Sequence, residues 1–173
     1  MHILIAILGL VMAAGVWAWR IRMARDAMTE VSGLAGDVVS AARRLGFRRK
    51  TNVHPVESVD EPALAITGVA LAFVDLASLP TAEQLANLKA ALQRQLAVTE
   101  VKADEMLIVS RWLVNECKGA DSAVTRLTKR LQKLDPTGFQ PLLAVLGDVE
   151  SHAALGPRQR DALDDIARIF RLT

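Results

Sequence analysis

The stretch ALAITGVALAFVD, Ala63 to Asp75, decides the fold. It is apolar or small on every side except for the Thr67 hydroxyl, and its only charge is Asp75 at the end. A helix without a polar face has to be covered all round, so this segment is predicted to be a buried helix with the others packed about it. On both sides of it apolar residues recur every three or four positions, and no stretch alternates with period two. The predicted class is all-α: an N-terminal transmembrane helix followed by a bundle of about six helices.

Five more helices follow the central one. Ser78-Leu79-Pro80-Thr81 breaks the chain, and Thr81 with Gln84 three residues on reads as a capping box. The second helix then shows Leu85, Leu88, Leu92 and Leu96 on one face. A third runs from Thr99 to Lys118 with Leu107, Ile108, Trp112, Leu113 and Cys117 on its apolar side. The fourth opens at Asp121 or Ser122, carries Val124, Leu127 and Leu131, and stops at Leu134 because Asp135-Pro136 cannot continue it. The fifth spans about Thr137 to Ser151, with Phe139, Leu142, Leu143 and Leu146. Pro157 fits the first turn of the sixth, which carries Ala162, Leu163, Ile166, Ile169 and Phe170.

Before the central helix the chain has a different character. Ile3 to Trp19 reads ILIAILGLVMAAGVWAW, with no charge, and is followed at once by Arg20, Arg22 and Arg25. As a helix this run spans roughly 26 Å against a hydrocarbon core of about 30 Å. Arg20 and Arg22 can snorkel to the headgroups, and Trp17 and Trp19 suit an interface. A cleaved signal peptide would carry its basic residues before the apolar run, where only His2 stands. Residues 1–22 are therefore expected to be an uncleaved single-pass anchor in a bacterial inner membrane, N-terminus out and the rest cytoplasmic. Ala6, Gly9 and Ala13 form a small-residue face, which admits a homodimer through the anchor.

Apolar or small residues continue at alternating steps of four and three from Trp17 through Ile21, Ala24, Met28, Val31, Ala35, Val38 and Ala42 to Leu45. Residues 23–50 are thus expected to be an amphipathic helix lying on the membrane or on the domain, with a dimeric coiled coil as the other reading. The segment ends in RRLGFRRK, Arg43 to Lys50. Arg43, Arg44, Phe47, Arg48, Arg49 and Lys50 are candidates for contact with the membrane surface, each charge contributing about 1 kcal/mol beside anionic lipid, with Leu45 and Phe47 as wedges. The same charges could equally be a solvated flank that only enforces topology. Residues 51–62, TNVHPVESVDEP, have two prolines and no helical period, and are expected to be a linker to a domain at 63–173.

The charge is split the same way. The formal balance is +2 over 173 residues. Residues 20–50 hold eight Lys/Arg against three acids, net +5, and residues 51–173 hold thirteen against sixteen, net −3. A nucleic-acid surface should lie on the folded domain, and this domain is mildly acidic, so nucleic acid is not an expected partner. One cysteine excludes an internal disulfide, and Cys117 reads as a buried structural thiol.

Two segments align without a gap: Asp75-Leu-Ala-Ser-Leu79-Pro-Thr-Ala-Glu83 and Ser151-His-Ala-Ala-Leu155-Gly-Pro-Arg-Gln159. Each joins two helices through a loop with a Leu that can plug the core. In this the chain resembles the TerB-like family, which includes the tellurite-resistance TerB proteins and the N-terminal domain of the membrane-anchored co-chaperone DjlA. The resemblance covers roughly residues 63–172 and is strongest over LGPRQRDALDDIARIFRL, Leu155 to Leu172. It implies a protein-interaction domain serving tellurite or envelope stress, with an unidentified cytoplasmic or membrane protein as partner. It also implies a second reading, a divalent-cation sensor holding Ca²⁺ or Zn²⁺ through Asp75, Glu83, Asp148 and Glu150. The second loop departs from the family pattern, with Ser151 and Gln159 at the acidic positions, and a hard cation wants six to eight oxygens. For Asp75 and Glu83 the plainer reading is helix punctuation. No J-domain motif is present, since His54-Pro55 is followed by Val56.

No nucleophile–base pair, phosphate loop or zinc spacing can be argued from the residues, so no catalytic site and no cofactor other than that cation is expected. His2, His54 and His152 are scattered through anchor, linker and loop. Asp161, Asp164 and Asp165 with Arg160, Arg168 and Arg171 read as ion pairs on a solvated face.

Overall fold

A computed structural model describes residues 36–77, 80–150 and 155–171. From Ser40 onward they belong to one compact unit. After a helical segment over 36–44 and a 3₁₀ turn, Pro55–Ser58, six α-helices follow: α1 (Pro62–Asp75), α2 (Ala82–Leu96), α3 (Glu100–Glu116), α4 (Ala120–Leu134), α5 (Phe139–Glu150) and α6 (Pro157–Arg171). The described residues contain no strand, as the periodicity predicts. No helix among them is long and apolar enough to cross a membrane, and the anchor expected at 1–22 lies outside them.

Helix α1 is the axis. Every residue from Leu64 to Val74 is buried, and α2, α3, α4 and α5 all pack on it. Pro62 starts it at a position where no N–H is needed. Thr67 donates its hydroxyl to the Ala63 carbonyl at 2.8 Å, which satisfies the one polar group in the buried stretch. The closest approach is to α4. A Cβ on Gly68 would stand 2.9 Å from Leu127 Cδ1 and 3.2 Å from Cδ2, and Leu127 is itself fully buried. Glycine at 68 sets the spacing of these two helices.

The two loop-to-helix entries repeat, one residue out of step with the gap-free alignment. At α2 the Thr81 N–H donates to Gln84 Oε1 at 2.9 Å while the Thr81 carbonyl accepts from Leu85 N at 3.1 Å. At α6 the Gly156 N–H donates to Gln159 Oε1 at 3.0 Å while its carbonyl accepts from Arg160 N at 3.1 Å. The structural partner of Gln159 is therefore Gln84, not Glu83. Gln159 is also buried and donates weakly, at 3.4 Å, to the Phe73 carbonyl, tying α6 to the axis.

Helix α3 presents a different face from the one expected. Ala103, Met106, Val109, Ser110, Leu113 and Val114 are buried, Leu107 and Trp112 are half-buried, and Ile108 is exposed. Apolar residues surround this helix, so their spacing alone does not select a side; small Ala103 and Ser110 let the core side pack closely. Cys117 is buried as predicted. Lys118 and Gly119 then reverse the chain with φ of 61° and 142°, and α4 begins at Ala120, slightly before the expected Asp121. Helix α5 begins at Phe139 rather than near Thr137 because Asp135 Oδ1 holds the Thr137 N–H and hydroxyl, at 2.9 and 2.6 Å, in a turn.

The largest departure is at residues 51–62. They form part of the packed unit rather than a linker. Val56 and Val59 are fully buried. Arg130 Nε on α4 donates to the Val59 carbonyl at 2.7 Å, and His54 Nε2 lies 3.3 Å from the Glu116 carbonyl on α3. His54 Nδ1 accepts from Val56 N at 3.3 Å, so the Nε2–H tautomer satisfies both contacts. Two prolines end the helical period here without ending the domain.

Gly68→Val should lower the unfolding free energy by about 1–3 kcal/mol, the usual cost of overpacking a closed contact. Gly147→Ala on α5, where an added Cβ meets nothing within 4 Å, should raise it by about 0.5–1 kcal/mol. Urea unfolding of both variants checks the pair, and a stable Gly68→Val would show that the α1–α4 contact is not closed.

Candidate functional site

Asp75 is the last residue of α1, and the next residue on, Leu76, caps the helix. Its Oδ2 accepts from Arg111 Nη1 of α3 at 2.6 Å. Its Oδ1 is buried without a hydrogen-bond partner. Burial pushes the carboxyl above its ordinary range, and the Arg111 charge and hydrogen bond pull the other way. The group lines an open cleft of about 350 Å³, together with Leu76, Ala77, Val114, Asn115, Gly119, Ala120 and Arg158. Arg158 is itself ion-paired with Asp121. One wall is thus a half-satisfied carboxylate and the other the start of α4. Sequence reasoning does not reach Asn115, Arg111 and Arg158 as a group; an Arg at 111 within the apolar third helix is the only signal that could have marked one of them.

The other acids expected around a cation have separate settings. Glu83 is exposed in the first turn of α2. Asp148 on α5 is held by α2: it accepts from Arg94 Nε and Nη2 at 3.3 and 3.1 Å and from Gln95 Nε2 at 2.9 Å. The Gln95 hydrogen bond, then that of Arg94, hold its pKa below the usual carboxylate range. The side chain of Glu150 lies outside the described residues, as do Ser151 and His152. Among the described residues no three His, Cys, Asp or Glu side chains come together in a way that could hold a metal ion. Asp75 and Asp148 each face a cationic side chain instead.

The basic segment divides into structural and free charges. Arg44 is ion-paired with Glu105, a buried acid of α3. The Lys50 backbone N–H donates to Ser58 Oγ at 2.9 Å, and its ammonium lies 3.3 Å from Asp60. Phe47 packs edge-on against Trp112, centroids 6.0 Å apart and planes at 75°, and Arg49 lies 5.9 Å above the same indole. Leu45 and Phe47 are packed against the core rather than standing out as lipid wedges. Arg43 and Arg48 are exposed and make no ion pair among the described residues. The segment is laid along α3, with 44 beside 105, 47 and 49 beside 112, and 54 beside 116.

No family model, no curated protein and no solved structure matches this chain. The site is therefore argued from its own geometry.

Two measurements probe these pairings. An acid whose folded pKa is raised contributes fully below its unfolded pKa, near 3.9, and loses that contribution as pH rises through the folded value. Asp75→Asn should abolish this loss, so the variant gains on the wild type as pH rises from about 4; Asp148→Asn should do the reverse, costing stability above about pH 4 and not below. Unfolding free energies measured across acid pH separate the two, and parallel curves would refute the assigned environments. In the basic segment, Arg44→Ala should cost about 1–3 kcal/mol because it leaves Glu105 buried and unpaired, whereas Arg43→Ala and Arg48→Ala should stay within about 0.5 kcal/mol. Equal effects at all three positions, read by thermal unfolding, would contradict the division.

Proposed function

We propose that this protein is a single-pass inner-membrane protein that holds its helical unit on the cytoplasmic side as a protein-interaction domain, in the manner of TerB-like domains and in the service of tellurite or envelope stress. The observation that carries the reading is the uncharged run from Ile3 to Trp19 followed at once by Arg20, Arg22 and Arg25. That order of apolar run and positive charge retains a helix in the bilayer and keeps the chain beyond it on the inner side. The TerB-like comparison itself rests on the two loop-to-helix entries, at Thr81 and Gly156, each closed by a Gln side chain. The interaction role draws on the cleft at Asp75, where a buried oxygen without a partner adjoins Asn115 and Arg158. The cation reading of the same loops is the weaker of the two, because Arg111 and Arg94 already occupy Asp75 and Asp148.

A fluorescent reporter fused after Thr173 should be active, and an export-dependent phosphatase at the same place should be silent. The reverse pattern would refute the orientation. In vivo cross-linking of the full chain, followed by pull-down, should return a defined protein that is lost when Asn115 and Arg158 are both changed to Ala.

A further inference from the structure

We infer that the solvent face of α4 receives the partner of this domain, and that the partner meets it with an acidic helical segment. This rests on the protein-interaction reading above and gives that partner its chemistry. Helix α4 has four cationic side chains and one acid. Arg130 is drawn against the packed unit: its side chain is 15% accessible, donates to the Val59 carbonyl and pairs with Asp60. The acid, Asp121, pairs with Arg158 of α6. Arg126, Lys129 and Lys133 are exposed and make no ion pair among the described residues. At about 100° per residue the three fall within roughly 60° of arc. They stand opposite buried Val124, Leu127 and Leu131, and only Ser122 shares their arc. Spacings of three and four bring like charges together, which disfavours a helix unless an opposite charge answers them.

On the other helices such charges are answered from within. Lys89 has Glu100 and Asp104, Arg94 has Asp148, Lys102 has Glu61 and Arg111 has Asp75. Around α4 the acids are engaged elsewhere or pair with none of the three. Asp60 holds Lys50 and Arg130, Asp135 holds Thr137, and Glu57 and Glu116 form no ion pair among the described residues. Residues 51–173 are net −3, so this face runs against the sign of the unit that bears it. Seven residues separate Arg126 from Lys133, about 10 Å along the axis, the length over which a second helix with acids at i, i+3 and i+7 presents them on one side. The face starts one turn on from Gly119 and Ala120, which line the cleft at Asp75. It holds no apolar side chain to enter a bilayer and no aromatic ring to stack on a base, and three cations neutralise few phosphates of a duplex. Acidic protein is the occupant that its chemistry fits. Each exposed pair contributes little to affinity, so the face sets encounter and register more than binding strength.

The test uses the full chain in nonionic detergent at low ionic strength and a synthetic Ala-rich helical peptide with Glu at i, i+3 and i+7 of one face. Carbodiimide captures weak Lys–Glu pairs as amides, and mass spectrometry locates them. Links should concentrate on Lys129 and Lys133 rather than on Lys50 and Lys118, which are exposed elsewhere. A peptide of the same composition with its Glu residues spread round the helix should couple less. Arg126→Gln should lower coupling at both lysines about threefold, whereas Arg160→Gln should leave it unchanged. Arg126→Glu with Lys129→Glu and Lys133→Glu should transfer the preference to a peptide with Lys on one face. Links spread evenly over the four lysines, or equal coupling of the two Glu peptides, would overturn the inference. So would a DNA duplex or phosphatidylglycerol vesicles that suppress the links more strongly than unlabelled one-faced Glu peptide, assigning the face to nucleic acid or lipid instead. The in vivo cross-linking described above separates this inference from the reading it rests on. A defined protein recovered equally from the wild type and from the variant with Glu at all three positions would overturn the α4 surface and leave the interaction role standing; recovery of none from the wild type would overturn both.

Discussion

Helix α1 has no polar side, and water has to be excluded from its whole circumference. Eleven consecutive residues, Leu64 to Val74, are buried in meeting that demand. Four helices are needed to cover it, and the gaps are closed by Gly68 against Leu127 and by the fully buried Phe73, Leu71 and Leu64. A Leu or Phe side chain taken out of water stabilises by about 1.5–3 kcal/mol, so this one helix accounts for a large part of the driving force for folding. Where the chain enters α2 and α6 it is fastened by local chemistry: the capping box at Thr81 and the matching Gly156–Gln159 contact.

Covering α1 also recruits residues whose sequence looks unstructured. Val56 and Val59 fill space beside α3 and α4, and the chain that brings them there is pinned by Arg130, His54 and Lys50. The preceding basic segment is drawn in with them, because Arg44 neutralises buried Glu105 and Phe47 seats on Trp112. Of its charges, Arg43 and Arg48 face solvent after these demands are met. The same eight-residue stretch thus supplies a structural clasp and an exposed positive edge.

The cleft at Asp75 has a different origin. Asp75 ends α1 where the buried stretch runs out, and its carboxylate is neither fully solvated nor fully paired. A buried group left in that position costs stability unless something else gains by it, and Asp148, by contrast, is well paired.

The sequence by itself determined that the chain is helical, where α1, α2, α4 and α6 begin or end to within a residue or two, and that Cys117 is buried. Those features come from local causes: apolar periodicity, a Thr–Gln cap, an Asp-Pro stop, and a proline at a first turn. Only the tertiary structure decided which side of α3 faces inward, that residues 51–62 belong to the packed unit, that Gln84 and not Glu83 is the counterpart of Gln159, and that Asp75 pairs with Arg111 while Asp148 pairs with Arg94. Each of these depends on which residue stands opposite across the core. Spacing along one helix records the presence of an apolar side, but when apolar residues run all round, as in α3, only the neighbouring helix selects the face. The charged groups obey the same limit, since a carboxylate's partner is set by distances in space that separation along the chain does not encode.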